Sequence, residues 1–435
     1  MIMVKRNFLF LLSIVVGCMA VRAQGKWTLE QCVQYGLENN LTLLQMQGEK
    51  VKLQIRQEAI RNNRLPNAEM NASQRFNFGR SLNRENVYED ISSYTTGMEL
   101  NVELPLFDGF YTRNAIRENK MDILASDEGM AIKKDELTLD ITNLFYRAAI
   151  YKEVHNIALE QRKLTEDQLQ RSRDRIESGM APKSLLLDIE AQYAEDELTI
   201  VEARGNLDRA LIELAQLMNM TESVETFDVA IPSASCDLLT LSVGNEIYID
   251  RFPRLRSARF LLEGMEWTYR KTRSGYFPTL SMGGSIGSSY YNQSDMQNPL
   301  FARQLKNNQQ SYIYIALRVP LFDKFVTRTN LRTVKAEMEN QSIKIREIEN
   351  TLHAEALKIK IDLENSRQKV VTANQSVIAH SEAFRFAIEK FSAGKISVYE
   401  HLQAKQRLAS SQSQAVQAKY ELAYKLAVYD YYYNR

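Results

Sequence analysis

A duplication constrains this chain more than any other feature. Glu103-Leu104-Pro105-Leu106-Phe107-Asp108-Gly109-Phe110-Tyr111-Thr112-Arg113 returns 215 positions later as Arg318-Val319-Pro320-Leu321-Phe322-Asp323-Lys324-Phe325-Val326-Thr327-Arg328. The offset holds downstream, where Arg175-Ile176-Glu177-Ser178-Gly179 aligns with Lys390-Phe391-Ser392-Ala393-Gly394. Upstream, Leu65-Pro66 matches Phe277-Pro278 at an offset of 212. A period this long predicts two structural halves packed together, not a solenoid of short repeats. The boundaries fall at 24–220 for the first repeat, 221–244 for a linker and 245–435 for the second repeat.

Between these landmarks lie two stretches of 69 residues, Phe110 to Ser178 and Phe325 to Ala393, with no proline and with Gly129 as the only glycine. Both predict very long helices, each reaching roughly 100 Å at about 1.5 Å per residue. Leu137, Ile141, Leu144, Ala148 and Tyr151 step by 4, 3, 4, 3, as in the seam of a coiled-coil-like bundle. From Glu160 to Arg175 only Leu164 and Leu169 remain among charged and amide residues, so this part must meet water. After Gly179 and Gly394 a second helix starts in each half, running to about Asn219 and about Tyr433. Glycine at the turn, with Pro182 in the first helical turn, fits a helical hairpin.

The rest of each unit has period two. Ala68, Met70, Ala72, Phe76 and Phe78 alternate with Asn67, Glu69, Asn71, Ser73, Arg75 and Asn77. Tyr94 to Leu104 does the same, and the second copy gives Thr279 to Tyr291 and Ser311 to Val319. Gly283, Gly284 and Gly287 within these runs predict close packing or bending. The four segments predict strands joined in pairs by polar loops, Gly79 to Ser93 and Asn292 to Gln310. Their length suits a tilted strand crossing a bilayer, with an apolar outside and a wet inside. A soluble hairpin with one solvated face fits the alternation equally well.

The 435 residues are 44% hydrophobic and 25% charged, ample for a sizeable core. No internal apolar run reaches the roughly 18 residues of a membrane helix. Lys5-Arg6 followed by Phe8 to about Val21 and then Val21-Arg22-Ala23 predicts a secretory signal peptide over 1–23, cleaved before Gln24. Val15-Val16-Gly17-Cys18 is also lipobox-like, and lipidation at Cys18 stays open as an alternative. Cleavage at Gln24 leaves 52 basic against 54 acidic residues, which offers no electrostatics for nucleic acid. Cys32 and Cys236 are too few for a disulfide framework.

No catalytic chemistry converges. His155, His353, His380 and His401 have no paired ligand spacing, so no metal is expected. There is no phosphate-cradling glycine loop, nucleophile elbow or cysteine cluster, so neither cofactor nor enzyme activity is expected.

The chain resembles the TolC-like outer-membrane efflux proteins over essentially its whole mature length. The resemblance rests on Trp27-Thr28-Leu29-Glu30-Gln31-Cys32 through Gly36-Leu37-Glu38-Asn39-Asn40-Leu41, on Pro66 and Pro278, on the two Pro-Leu-Phe-Asp strand exits and on the glycine hairpin tips. Thr28 with Gln31 predicts a capping box, with Trp27 stapled onto Cys32. Remaining helices are expected at about Thr28 to Arg64 and Asn245 to Ser274, and Tyr420, Tyr424, Tyr429 and Tyr433 mark the C-terminal segment.

Four strands cannot close a barrel, and lipid forbids an open edge, so several chains must contribute. The resemblance implies a mainly α protein with membrane β-strands, in which a homotrimer builds a composite 12-stranded β-barrel continued by a long α-helical periplasmic barrel. It implies a passive exit duct of a tripartite efflux or secretion system in the outer membrane of a Gram-negative bacterium, partnered by a periplasmic adaptor and an inner-membrane pump of RND or ABC type. The adaptor would meet the hairpin tips, Gly179, Met180, Ala181 and Pro182 in one and Gly394, Lys395, Ile396 and Ser397 in the other. Glu400 stands where the family often places an acidic pore constriction, but the first half has Leu185 there, with Asp188 three residues on. A periplasmic adaptor and a structural coiled-coil stalk are the competing readings, and both leave the duplicated strand pairs unexplained.

Overall fold

The structure is a computed structural model that describes residues 26–82, 86–179, 182–220, 226–232, 247–293 and 299–433. The signal segment with Cys18, the tip residues Met180 and Ala181, and Cys236 lie outside the described residues. Helices are α1 (Leu29–Asn39), α2 (Leu41–Asn62), α3 (Tyr111–Glu177), α4 (Lys183–Leu217), α5 (Pro253–Arg273), α6 (Phe301–Asn307), α7 (Val326–Ser392) and α8 (Val398–Tyr433). Strands are β1 (Asn67–Asn77), β2 (Arg80–Leu82), β3 (Tyr88–Asp90), β4 (Ser93–Phe107), β5 (Thr279–Gln293) and β6 (Gln310–Arg318). Two compact units form, one from 46–130 and 252–349, the other from the described parts of 1–45, 131–251 and 350–435. Each unit draws on both halves of the duplication.

In the strand-bearing unit, β1, β4, β5 and β6 form one antiparallel sheet in that order. The second strand of the first repeat therefore pairs with the first strand of the second. The expected polar loops carry structure of their own: β2 pairs with β3 in the first, and α6 lies in the second. Glycines in β5 answer to their neighbours. A Cβ on Gly283 would fall 2.4 Å from the ring of Tyr314, its registered partner on β6, so the tyrosine covers the glycine.

Why the repeated motif ends a strand and starts a helix is visible in its aspartate. Asp108 accepts from the Thr112 backbone N–H at 2.7 Å and Asp323 from that of Thr327 at 2.8 Å, filling orphan donors of the first turns of α3 and α7. Gly109 and Phe110 both adopt positive φ, 67° and 69°, and Lys324 and Phe325 repeat the turn at 55° and 62°. The second copy thus holds a lysine where the first has a glycine suited to that conformation.

In the helical unit, α3 and α7 contribute long seams. On α7, Leu352, Ala356, Leu363, Ser366 and Val370 are buried with Ile359 and Ala373 packed beside them, a 4, 3 alternation against Ala418, Leu422, Leu426 and Tyr429 of α8. On α3 the buried apolar residues between Leu137 and Tyr151 are Leu137, Ile141, Phe145, Ala148 and Ala149, so Phe145 replaces the expected Leu144 in the seam and Tyr151 stays half-buried. The expected continuous helix from Thr28 to Arg64 is broken at Asn40, whose Oδ1 accepts from Thr42 N–H at 3.0 Å. That asparagine caps α2 and so divides the segment. The Thr28–Gln31 capping box is present. Trp27 packs edge-on to Tyr35 and Phe227, at 5.5 and 5.9 Å. Cys32 is itself fully buried, and burial, then Glu30, pushes its thiol up to about 12.

Candidate channel wall and hairpin tips

The sheet keeps a single apolar face across all four strands. Met70 registers with Leu100, Leu100 with Ile286, Leu104 with Met282, Met282 with Ile315 and Leu280 with Leu317. Because side chains alternate, the opposite face collects Glu69, Asn71, Arg75, Glu99, Asn101 and Glu103 beside the serines and glycines of β5. The apolar face is bare: Met70, Ile313 and Ile315 are 70%, 78% and 69% exposed. Among the described residues, the outer edges of β1 and β6 have no strand partner.

The two hairpin turns open alike at their glycines. Gly179 and Gly394 both sit at φ 72°. Gly179 N–H donates to Ile176 O at 2.9 Å and Gly394 N–H to Phe391 O at 3.0 Å, while Lys395 N–H reaches Lys390 O at 2.8 Å. This is a Schellman closure, which requires the left-handed residue that glycine supplies. Beyond the turn the copies part. Ser397 and Glu400 form a capping box, with Glu400 Oε2 accepting from Ser397 N–H at 2.9 Å and Ser397 Oγ accepting from Glu400 N–H at 3.3 Å. The Ser397 backbone N–H, then the Ser397 hydroxyl, which donates to the same oxygen at 3.1 Å, hold the Glu400 carboxyl below its ordinary range. The equivalents 215 residues earlier are Pro182 and Leu185, and Pro182, the N-cap and not a first-turn residue, makes no side-chain cap. Gly179, Pro182, Gly394, Lys395 and Ser397 are exposed, Ile396 is half-buried, and Glu400 and Asp188 are exposed.

A buried polar cluster joins the two hairpins, and no sequence pattern drew attention to it beforehand. Lys405 of α8 donates to Asp196 of α4 at 2.5 Å and to the Thr165 hydroxyl of α3, which itself donates to Asp196. Gln192 completes the carboxylate at 3.0 Å. The lysine and aspartate side chains are only 7% and 10% exposed. One turn away, His401 is buried and stacks on Phe391 at 4.8 Å, with Phe384 at 5.5 Å. The 4, 3 spacing of His401, Lys405 and Leu408 was the available signal, since it puts a lysine on a seam. Among the described residues no group of three His, Cys, Asp or Glu side chains could hold a metal, and no helix is long and apolar enough to cross a membrane.

The family model described as outer membrane efflux protein matches residues 33–220 and 248–427, the two halves of the duplication. The chain belongs to the outer membrane efflux protein family. Relatives include the alkaline protease secretion protein AprF of Pseudomonas aeruginosa, 22% identical over 76% of this chain and 68% of its own. The outer membrane efflux protein BepC of Brucella suis is 20% identical over 75% and 69%. In fold, the chain matches the CmeC outer membrane channel of Campylobacter jejuni with a TM-score of 0.78 over 92% of this chain and 84% of that one, at 16% identity. A TolC-like family member carrying this sheet is an outer-membrane protein that extends into the periplasm. The mainly helical chain with one four-stranded sheet matches the architecture of that channel structure.

Proposed function

We propose that three copies of this chain assemble into the outer-membrane exit duct of a tripartite efflux or secretion system. The observation that carries this reading is the sheet: one apolar face runs through four strands, and both outer strands end in unpaired edges. In lipid each edge must find a partner, and three copies joining β6 to the next β1 close a 12-stranded barrel without any edge. Strands of 11, 15, 15 and 9 residues have the span required, about 9–11 residues when tilted. The polar face, with Glu69, Glu99 and Glu103, lines the water-filled interior.

The long helices then continue the conduit into the periplasm. Apolar residues left exposed on them, Leu187, Leu198 and Val201 of α4 and Leu357, Ile361 and Ile378 of α7, are covered by neighbouring copies. The tips around Gly179 and Gly394 receive a periplasmic adaptor, which couples the duct to an inner-membrane pump. Glu400, whose Oε2 serves the cap, leaves its other oxygen to a constriction of the closed pore, and exposed Asp188 takes the corresponding place in the first hairpin. Transport is passive and selection lies with the pump.

Native mass spectrometry of protein extracted from outer membranes, paired with conductance in planar bilayers, tests the proposal. Three chains per particle with stepwise ion conductance supports it. A soluble, non-conducting monomer overturns it.

A further inference from the structure

At the helix-side end of the sheet, a cavity of about 290 Å³ is lined by Phe110, Arg113, Trp267, Arg270, Arg273 and Phe277. It belongs to the strand-bearing unit and lies just past the last registered pair of β4 and β5, Phe107 with Leu280. Rings stack there edge-on, Phe107 on Phe110 at 5.0 Å and Phe110 on Phe277 at 6.1 Å. The Arg270 guanidinium lies 4.4 Å over the Trp267 ring, and that of Arg117 approaches the same ring at 5.5 Å.

Three features set these arginines apart. First, Arg113, Arg270 and Arg273 have no carboxylate within ion-pair distance among the described residues, although the chain pairs many of its other cations. Glu118, five residues after Arg113, is already held by Lys271 and Thr268. Second, Arg113 stands in the first turn of α3, where the helix dipole disfavours a cation and where the one acid at the helix start, Asp108, is engaged by the Thr112 backbone N–H. Third, one of the three arginines, Arg270, is particular to this repeat, whereas Arg113 and Arg273 recur as Arg328 and Arg61. At the offset of 212, Trp267, Arg270 and Arg273 fall on Ile55, Glu58 and Arg61, so the other copy has an acid where this one has a stacked arginine.

We propose that this cavity binds the phosphodiester of an anionic glycerophospholipid. Guanidinium forks bind phosphate oxygens bidentately, and a stacked guanidinium keeps its edge free to do so. Acyl chains would lie along the bare apolar face that begins at Leu280 and Leu317. The aromatic rings occupy the level where amphipathic rings settle between headgroups and hydrocarbon. The inference rests on the membrane reading of the sheet.

The test is native mass spectrometry of the delipidated full-length protein with added phosphatidylglycerol. Wild type and a control, Arg75→Gln with Arg303→Gln and Lys306→Gln at the far end of the strands, are expected to retain the lipid equally. Arg113→Gln with Arg270→Gln and Arg273→Gln is expected to bind it about tenfold more weakly, as losing a charge-assisted hydrogen bond implies. Arg273→Gln alone, an exposed change, is expected to weaken binding in the same direction. Equal retention by all variants overturns the proposal, as does equal retention of diacylglycerol, which has no phosphate. Complete displacement by millimolar inorganic phosphate would assign the cavity to free phosphate and overturn the lipid. Conductance measured in parallel separates the two readings. A wild type without conductance sinks the duct, while the dependence of lipid binding on the three arginines still decides the cavity.

Discussion

At the residue scale, the sharpest contrast is between Ser397 with Glu400 and their counterparts Pro182 with Leu185. The second hairpin re-enters its helix through two reciprocal side-chain hydrogen bonds and the first without a side-chain cap. Ser397→Ala is expected to cost about 1 kcal/mol locally and to speed amide exchange in the first turn of α8. Pro182→Ser with Leu185→Glu is expected to slow exchange at the start of α4. The buried Lys405–Asp196 pair obeys a different rule. Removing one partner strands a charge, so Lys405→Ala is expected to destabilise the helical unit by about 3–5 kcal/mol, whereas Lys405→Met with Asp196→Leu should come close to neutral. Chemical denaturation followed by circular dichroism separates the two outcomes. His401 adds a pH dependence. Burial, then the Lys405 charge, lowers its pKa below the ordinary value of about 6.5. Above that value both states are neutral and the full stability is present. As pH falls below it, the unfolded chain takes up a proton that the folded one refuses, and stability is lost until the folded pKa is passed. Protection factors near Phe384 to Lys405, corrected for intrinsic exchange, are therefore expected to fall as pH drops below the ordinary histidine value of about 6.5, and His401→Gln to flatten that profile.

At the element scale, the sheet makes its own prediction. Ile313 and Ile315 face lipid in the proposed barrel, so Arg at either position is expected to cost about 2–4 kcal/mol near mid-depth and to reduce yield in the outer membrane. Arg at Tyr312, on the opposite face, is expected to be tolerated. Much of this scale was legible in the chain. Period-two alternation located all four sheet strands, and the absence of proline and glycine located the ends of α3 and α7 within a residue or two, because both signals are local. The buried polar cluster was not legible, since Thr165, Asp196 and Lys405 come from three helices and only packing unites them. Phe145 took the place expected of Leu144 for the same reason: a seam is chosen by the neighbour it meets. Ser397-Val398-Tyr399-Glu400 spells a capping box, yet its position beside a tip had suggested only a pore residue.

At the scale of the whole molecule, assembly should depend on the helices as well as the barrel. Leu198→Lys with Val201→Lys removes little packing within one chain, since both side chains are mostly exposed. The pair is nonetheless expected to shift detergent-extracted protein from three chains toward one in native mass spectra. The family assignment spans both halves of the chain, and the duplication supplied its outline before any comparison.

The long helices have a further property. α3 and α7 contain 67 residues each. Inserting one residue in either would rotate everything beyond it by about 100° and advance it about 1.5 Å, turning the seam away from its partners. Seven would restore the phase but push one turn about 10 Å past its twin. The two helices are thus matched rulers, and a lineage could change the reach of its duct only by whole heptads written into both copies together.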